Sequence, residues 1–119
     1  MLLGATGDRL DHTICNLGIV LKFYNQIKIK IIHQKSLLTP LTGIVNLSTV
    51  EGETVSIYGF DEKTLITSKG LKYKLNKSSL SFGKKESTSN VALKDKIELT
   101  IENGIIFFIR DFDLVRKND

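Results

Sequence analysis

The stretch Lys96-Ile-Glu-Leu-Thr-Ile-Glu-Asn-Gly-Ile-Ile-Phe-Phe-Ile-Arg-Asp111 decides the fold class of this 119-residue chain. Two β-rich runs, 96–102 and 105–111, flank Asn103-Gly104, a dipeptide that accepts the positive φ angles of a tight type I′ hairpin turn. The spacing therefore predicts two antiparallel strands joined at that turn. Working backwards, further short β-rich runs cover 43–47, 54–60, 64–67, 71–75, 79–82 and 88–93. Turn signals separate them at Glu51-Gly52, Gly59 with Asp61, Lys69-Gly70, Asn76 and Gly83. No helical period occurs in this half. Short strands at regular spacing predict an antiparallel β-sandwich or barrel.

The first third of the chain has a different texture. From Asp8 to about Tyr24 the apolar residues Leu10, Ile14, Leu17 and Leu21 recur at helical spacing, and Ile19, Val20 and Phe23 widen the stripe. Ile27-Lys-Ile-Lys-Ile-Ile-His33 then alternates as a half-buried strand does. Helix followed by strand is the closing part of an αβ unit. Pro40, the single proline, opens a linker-like stretch with Thr39, Thr42 and Gly43. The expected organisation is an αβ remnant over 1–36 and a β domain over 37–119. The helix stripe needs a sheet to pack on, supplied by a second copy or by the β domain.

Composition narrows the function. Hydrophobic content of 41% with 25% charged residues is that of a globular protein. One cysteine, Cys15, cannot form an internal disulfide. No apolar run approaches a membrane span and no signal peptide is evident, so the expected compartment is the cytoplasm. The net charge of +4 suits a phosphorylated ligand and also permits nucleic-acid binding. Lysines 69, 72, 74, 77, 84 and 85, interleaved with Tyr73 and Phe82, form the densest basic run. Their alternation fits the wet face of a sheet, and neither nucleic acid nor membrane is the expected partner.

Gly4-Ala-Thr-Gly-Asp-Arg-Leu-Asp-His12 carries the chemistry of the first part. Gly4 and Gly7 bracket a turn opening into the helix, where bare backbone N–H groups and the helix start favour an anion. Arg9 adds a forked donor for phosphate, and Asp8 and Asp11 can bind a metal or orient a hydroxyl. The same residues also read as a plain capped helix, with Asp8 at its start.

This segment resembles the Gly-Ala-Thr-Gly-Gly-Arg-Leu-Asp-His segment of bacterial thiamine pyrophosphokinases, with Asp8 in place of a glycine. Downstream, Gly70-Leu-Lys-Tyr-Lys-Leu-Asn76 and Leu80-Ser-Phe-Gly83 look like that family's Gly-Leu-Lys-Tyr-x-Leu-Asn and Leu-Ser-Phe-Gly stretch, and Ser87-Thr-Ser-Asn90 falls at its Ser-Asn motif. The resemblance covers nearly the whole chain. It implies transfer of pyrophosphate from ATP to thiamine, giving thiamine diphosphate and AMP, by a homodimer with Mg2+. It further implies that a Rossmann-like ATP domain precedes a jelly-roll-like β-sandwich that binds thiamine.

Carried over by position, Gly4, Thr6, Gly7 and Arg9 are expected at the ATP phosphates. Asp11 and Arg9 are expected as catalytic residues, with Asp11 also at the metal. Ser87, Ser89 and Asn90 are expected at thiamine, with Phe107 near the place of a tryptophan that stacks on substrate in animal members. Core burial of Phe107 and a turn-forming role for Ser87–Asn90 are the alternatives. The family's earlier Asp-rich segments have no counterpart here, so the chain is read as the C-terminal portion of such an enzyme, without turnover of its own. The rival readings are a β-sandwich module for RNA or another anionic ligand, and a dimerisation domain.

Overall fold

The computed structural model describes residues 2–5, 16–19, 21–22, 30–33, 35–81 and 87–111. Strand β1 (Leu2–Ala5) pairs in parallel with β2 (Lys30–His33), from Leu2 opposite Lys30 to Ala5 opposite His33. Parallel neighbours need a long crossover. Between them the described residues have helix at 16–19 and 21–22. The remainder of the expected helix and residues 27–29 of the expected strand lie outside the described residues. Among the described residues, no helix is long and apolar enough to cross a membrane.

β2 returns directly into β3 (Ser36–Ser48), His33 pairing with Ser36. β3 is 13 residues long and runs through Pro40, so the linker expected there is strand. Proline's fixed φ suits extended backbone; its missing N–H is harmful only where a ladder needs that donor. Among the described residues, pairing with β2 stops at Leu38, two residues before Pro40, while β8 (Lys96–Asp111) covers the other edge.

Asn103-Gly104 does not make the hairpin expected of it. β8 is one continuous strand of 16 residues that follows β3 along most of its length. Asn103 does adopt the left-handed conformation, with φ of 64°, and Gly43 on β3 has φ of 75°. The register jumps there, from Leu41 opposite Ile106 to Gly43 opposite Ile101. The left-handed residue thus serves a bulge. Thr42 Oγ1 donates to the Gly104 carbonyl at 2.6 Å, holding the irregular backbone, and Thr64 Oγ1 lies 3.3 Å from the Asn103 carbonyl oxygen.

This bulge organises the fold. The first half of β8 pairs with β5 (Leu65–Lys69) and the second half with β4 (Thr54–Tyr58). A strand that bends between partners in this way makes the corner of a sandwich. β6 (Ser78–Ser79) extends the β5 side and β7 (Ser87–Val91) the β4 side. The core between them contains Ile97, Leu99 and Ile101 before the bulge and Ile106 and Phe108 after it. The inward phase moves from odd to even positions, because each residue inserted into a strand turns the following side chains over. Val55 and Ile57 of β4, Ile66 of β5, and Leu71, Leu75 and Leu80 complete it. The expected antiparallel β-sandwich therefore forms, although 71–75 is a loop joined by one isolated bridge, Leu71 to Ala92 just past β7, instead of a strand.

Candidate functional site

The Ser87–Asn90 cluster lies in strand β7 and not in a turn. Its ladder with β4 runs Thr54 to Val91, Val55 to Asn90, then Ile57 to Ser87, so two residues, Thr88 and Ser89, face the single residue Ser56. Ser89 has φ of 53°, rare for a residue with a Cβ, and is exposed. Its N–H, lost to the regular ladder, donates to Ser56 Oγ at 3.1 Å. Bulges of this kind re-aim a side chain and gather beside binding sites.

Asn90 is 0% exposed. Its Oδ1 accepts from Tyr73 N at 3.0 Å and Val91 N at 2.9 Å, and its Nδ2 donates to the Tyr73 carbonyl at 2.9 Å and Ser87 Oγ at 3.0 Å. Two lone pairs and two protons are the full capacity of a carboxamide. Asn90 therefore clamps the loop at Tyr73 against β7. Tyr73 itself is 57% exposed, with Lys72 Nζ 5.4 Å from its ring centroid.

Phe107 sits on the other face of β8 from the main core. It is 5% exposed, meets Phe60 edge-on with centroids 4.9 Å apart, and packs with Leu38 and Tyr58 and with the helical residues Leu17 and Ile19. Part of the helix stripe is thus covered by the sandwich of the same chain. Ser56 opposes Ile109 and Tyr58 opposes Phe107, two residues further on, so the Ser56–Ser89 corner and the aromatic patch share one sheet face. Two residues along a strand separate them by roughly 7 Å.

At the other end of the sheet, Gly4 lies inside β1, whose pairing runs on to Ala5, so Gly4 does not start the turn expected there. Thr6, Gly7, Arg9 and Asp11, with Asp8 and His12, lie outside the described residues. One row of the sheet runs from Leu3 through Ile31, Leu38 and Ile109 to Ser56. Four strand steps amount to roughly 19 Å. Among the described residues no group of three His, Cys, Asp or Glu side chains is placed to hold a metal.

The sequence had singled out Ser87, Ser89, Asn90 and Phe107. Of these, the structure brings the first three together on β7, Asn90 and Ser87 paired with the core residues Val55 and Ile57, while Phe107 lies on the opposite face with Ser56 and Tyr58. Ser56 and Tyr58 carry no motif and were missed; only their alternation with Val55 and Ile57 marks them as outward-facing.

Residues 38–106 match the family described as thiamin pyrophosphokinase, vitamin B1 binding domain. The chain is 30% identical over 125 aligned positions to thiamin pyrophosphokinase 1 of Caenorhabditis elegans, covering 100% of this chain and 51% of that protein. It is 27% identical over 115 positions to thiamine pyrophosphokinase 1 of Oryza sativa subsp. japonica, covering 92% and 43%. The chain thus spans about half the length of the curated relatives it matches. Among solved structures, thiamine pyrophosphokinase from Bacillus subtilis superposes with a TM-score of 0.79 at 25% identity, covering 95% of this chain and 57% of that one. Thiamin pyrophosphokinase from Geobacillus thermodenitrificans gives 0.77 at 29%, covering 92% and 53%.

Proposed function

The chain belongs to the thiamin pyrophosphokinase family through its vitamin B1 binding domain, and on that premise we propose that its sandwich binds thiamine for pyrophosphate transfer from ATP, yielding thiamine diphosphate and AMP. The observation that carries the reading is the exposed, left-handed Ser89 on a bulge held by Ser56, beside an aromatic patch on the same face. Ser89 and Ser87 are the hydroxyls that meet the polar edge of the aminopyrimidine. Asn90 holds Ser87 through its clamp, and Ser56 holds Ser89. Phe107, braced by Phe60, is the apolar support of the face on which Ser56 holds Ser89.

Pyrophosphoryl transfer asks for in-line positioning and charge neutralisation more than for covalent chemistry. Gly4, Thr6, Gly7 and Arg9 are assigned to the ATP phosphates. Asp11 is the carboxylate assigned to Mg2+ and to orienting the thiamine hydroxyl; the ion would neutralise phosphate charge there. Five strand steps from β1 to β7, roughly 24 Å, are too far for one small substrate to bridge β1 and Ser89 within a copy. This supports a homodimer in which the phosphate loop of one copy faces the sandwich of the other. The single cysteine supports a cytoplasmic setting, where disulfides are rare.

Calorimetric titration of the purified chain with thiamine tests the reading. The expected result is saturable binding, weakened in Ser89→Ala and in Asn90→Ala. Absence of binding, or preference for an oligonucleotide with steep salt dependence, would overturn it in favour of an anion-binding module.

A further inference from the structure

The bulge in β7 leaves one backbone donor without a ladder partner, and a side chain from the neighbouring strand takes it. Thr88 and Ser89 face Ser56 together, and Ser89 N–H donates to Ser56 Oγ at 3.1 Å. Ser89 at the same time holds φ of 53°, a conformation costly for an L-residue with a Cβ and kept only when its surroundings impose it. Ser56 stands on a firm base, because Val55 and Ile57 on either side are both 0% exposed in the main core. On its other flank Ser89 is followed by Asn90, whose amide is locked to Tyr73, Ser87 and Val91.

We propose that Ser56 is a positioning residue of the thiamine site, its hydroxyl fixing the left-handed backbone of Ser89 so that the Ser89 side chain is presented to substrate. The inference rests on the reading of Ser89 as a thiamine contact. Ser56 acts as acceptor here, so its own proton, without an acceptor among the described residues, is left for water or the ligand. Rigidity thus passes from the buried face of β4 through one hydrogen bond to an exposed hydroxyl. A preorganised contact binds more tightly because less ordering is left to do on association.

The experiment compares the full chain with Ser56→Ala, Ser56→Thr and Ser89→Ala, by calorimetric titration with thiamine and by amide hydrogen exchange at residue 89. Ser56→Ala weakens thiamine about fivefold and Ser89→Ala about tenfold, and Ser56→Thr, which keeps the hydroxyl, stays within about twofold of the unmodified chain. Exchange of the Ser89 N–H accelerates in Ser56→Ala and returns in Ser56→Thr. Unchanged affinity in Ser56→Ala, beside weakened Ser89→Ala, overturns the inference and leaves the site reading standing. Weakened affinity in Ser56→Ala that Ser56→Thr does not restore, with Ser89 exchange unaltered, marks a packing effect and also overturns it. Unchanged affinity in Ser89→Ala, or no thiamine uptake by the unmodified chain, overturns the site reading and the inference with it.

Discussion

Glu53 and Arg110 form a buried ion pair whose removal has a calculable cost. The Glu53 side chain is 0% and that of Arg110 9% exposed; Arg110 Nη2 lies 2.5 Å from Oε1 and Nε 3.3 Å from Oε2. Oε1 also accepts from Val50 N at 2.9 Å. Arg110→Met strands a carboxylate with one backbone donor, and Glu53→Leu strands a guanidinium together with Val50 N–H. Each costs about 3–5 kcal/mol, because the desolvated charge keeps no partner. The double variant removes both charges, and only the Val50 donor goes unmet, at about 1–3 kcal/mol. The cycle should therefore show a coupling of at least about 3 kcal/mol, the two single losses together exceeding that of the double variant by that much or more. Arg110→Lys, which keeps the charge and loses the fork, falls between the unmodified chain and Arg110→Met. Urea unfolding with an unchanged m-value reads each difference. A single-variant loss below about 1 kcal/mol, or additive losses, would refute the reasoning by showing that water screens the pair.

Glycines give opposed expectations. A Cβ at Gly59 would stand 2.5 Å from the Leu80 carbonyl oxygen, so Gly59→Ala lowers stability by about 1–3 kcal/mol. Gly18 lies in helix with nothing within 4 Å, so Gly18→Ala raises stability by about 0.5–1 kcal/mol. Urea midpoints moving the same way in both variants would contradict this. Asp61 Oδ1 accepts, at 3.0 Å each, from the N–H and hydroxyl of Thr64 and from Lys63 N. These bonds, Thr64's backbone first, hold its carboxyl below the ordinary 3.8. A lowered folded value means that the contribution is complete above the unfolded value and disappears as pH falls through the folded one. Carboxyl-carbon titration by NMR should show this, and a midpoint at or above 3.8 would exclude it. A Cβ at Gly104 would collide with the buried Thr64 side chain, so Gly104→Ala loosens the β8 bulge and lowers the urea midpoint; an unchanged midpoint would count against the bulge's role.

The conformation of Asn103 was legible, and its use was not. An Asn-Gly pair announces a left-handed residue, but a hairpin and a bulge use it alike, and the difference lies in which strands stand alongside. Pro40 misleads in the same way: proline forbids one hydrogen bond, and only the extent of β2 says that the bond was not needed. At the candidate site the Ser-Asn pair was visible as a motif. The closed hydrogen-bond set of Asn90 was not, since its partner Tyr73 is 17 residues away. Ser56, a plain serine in an alternating strand, carries no local signal for its contact with Ser89 across 33 residues.

By itself the sequence determined the β-rich character of residues beyond 36, the helix-to-strand passage before them, and the residue types able to meet phosphate and thiamine. These follow from local backbone preference and side-chain chemistry, which act within a few residues. Only the tertiary structure decided that β8 is one strand turning a corner, that Phe107 faces away from the main core, and that Asn90 clamps while Ser89 is presented. Each of these depends on register, and register is set when apolar faces from distant segments are buried together.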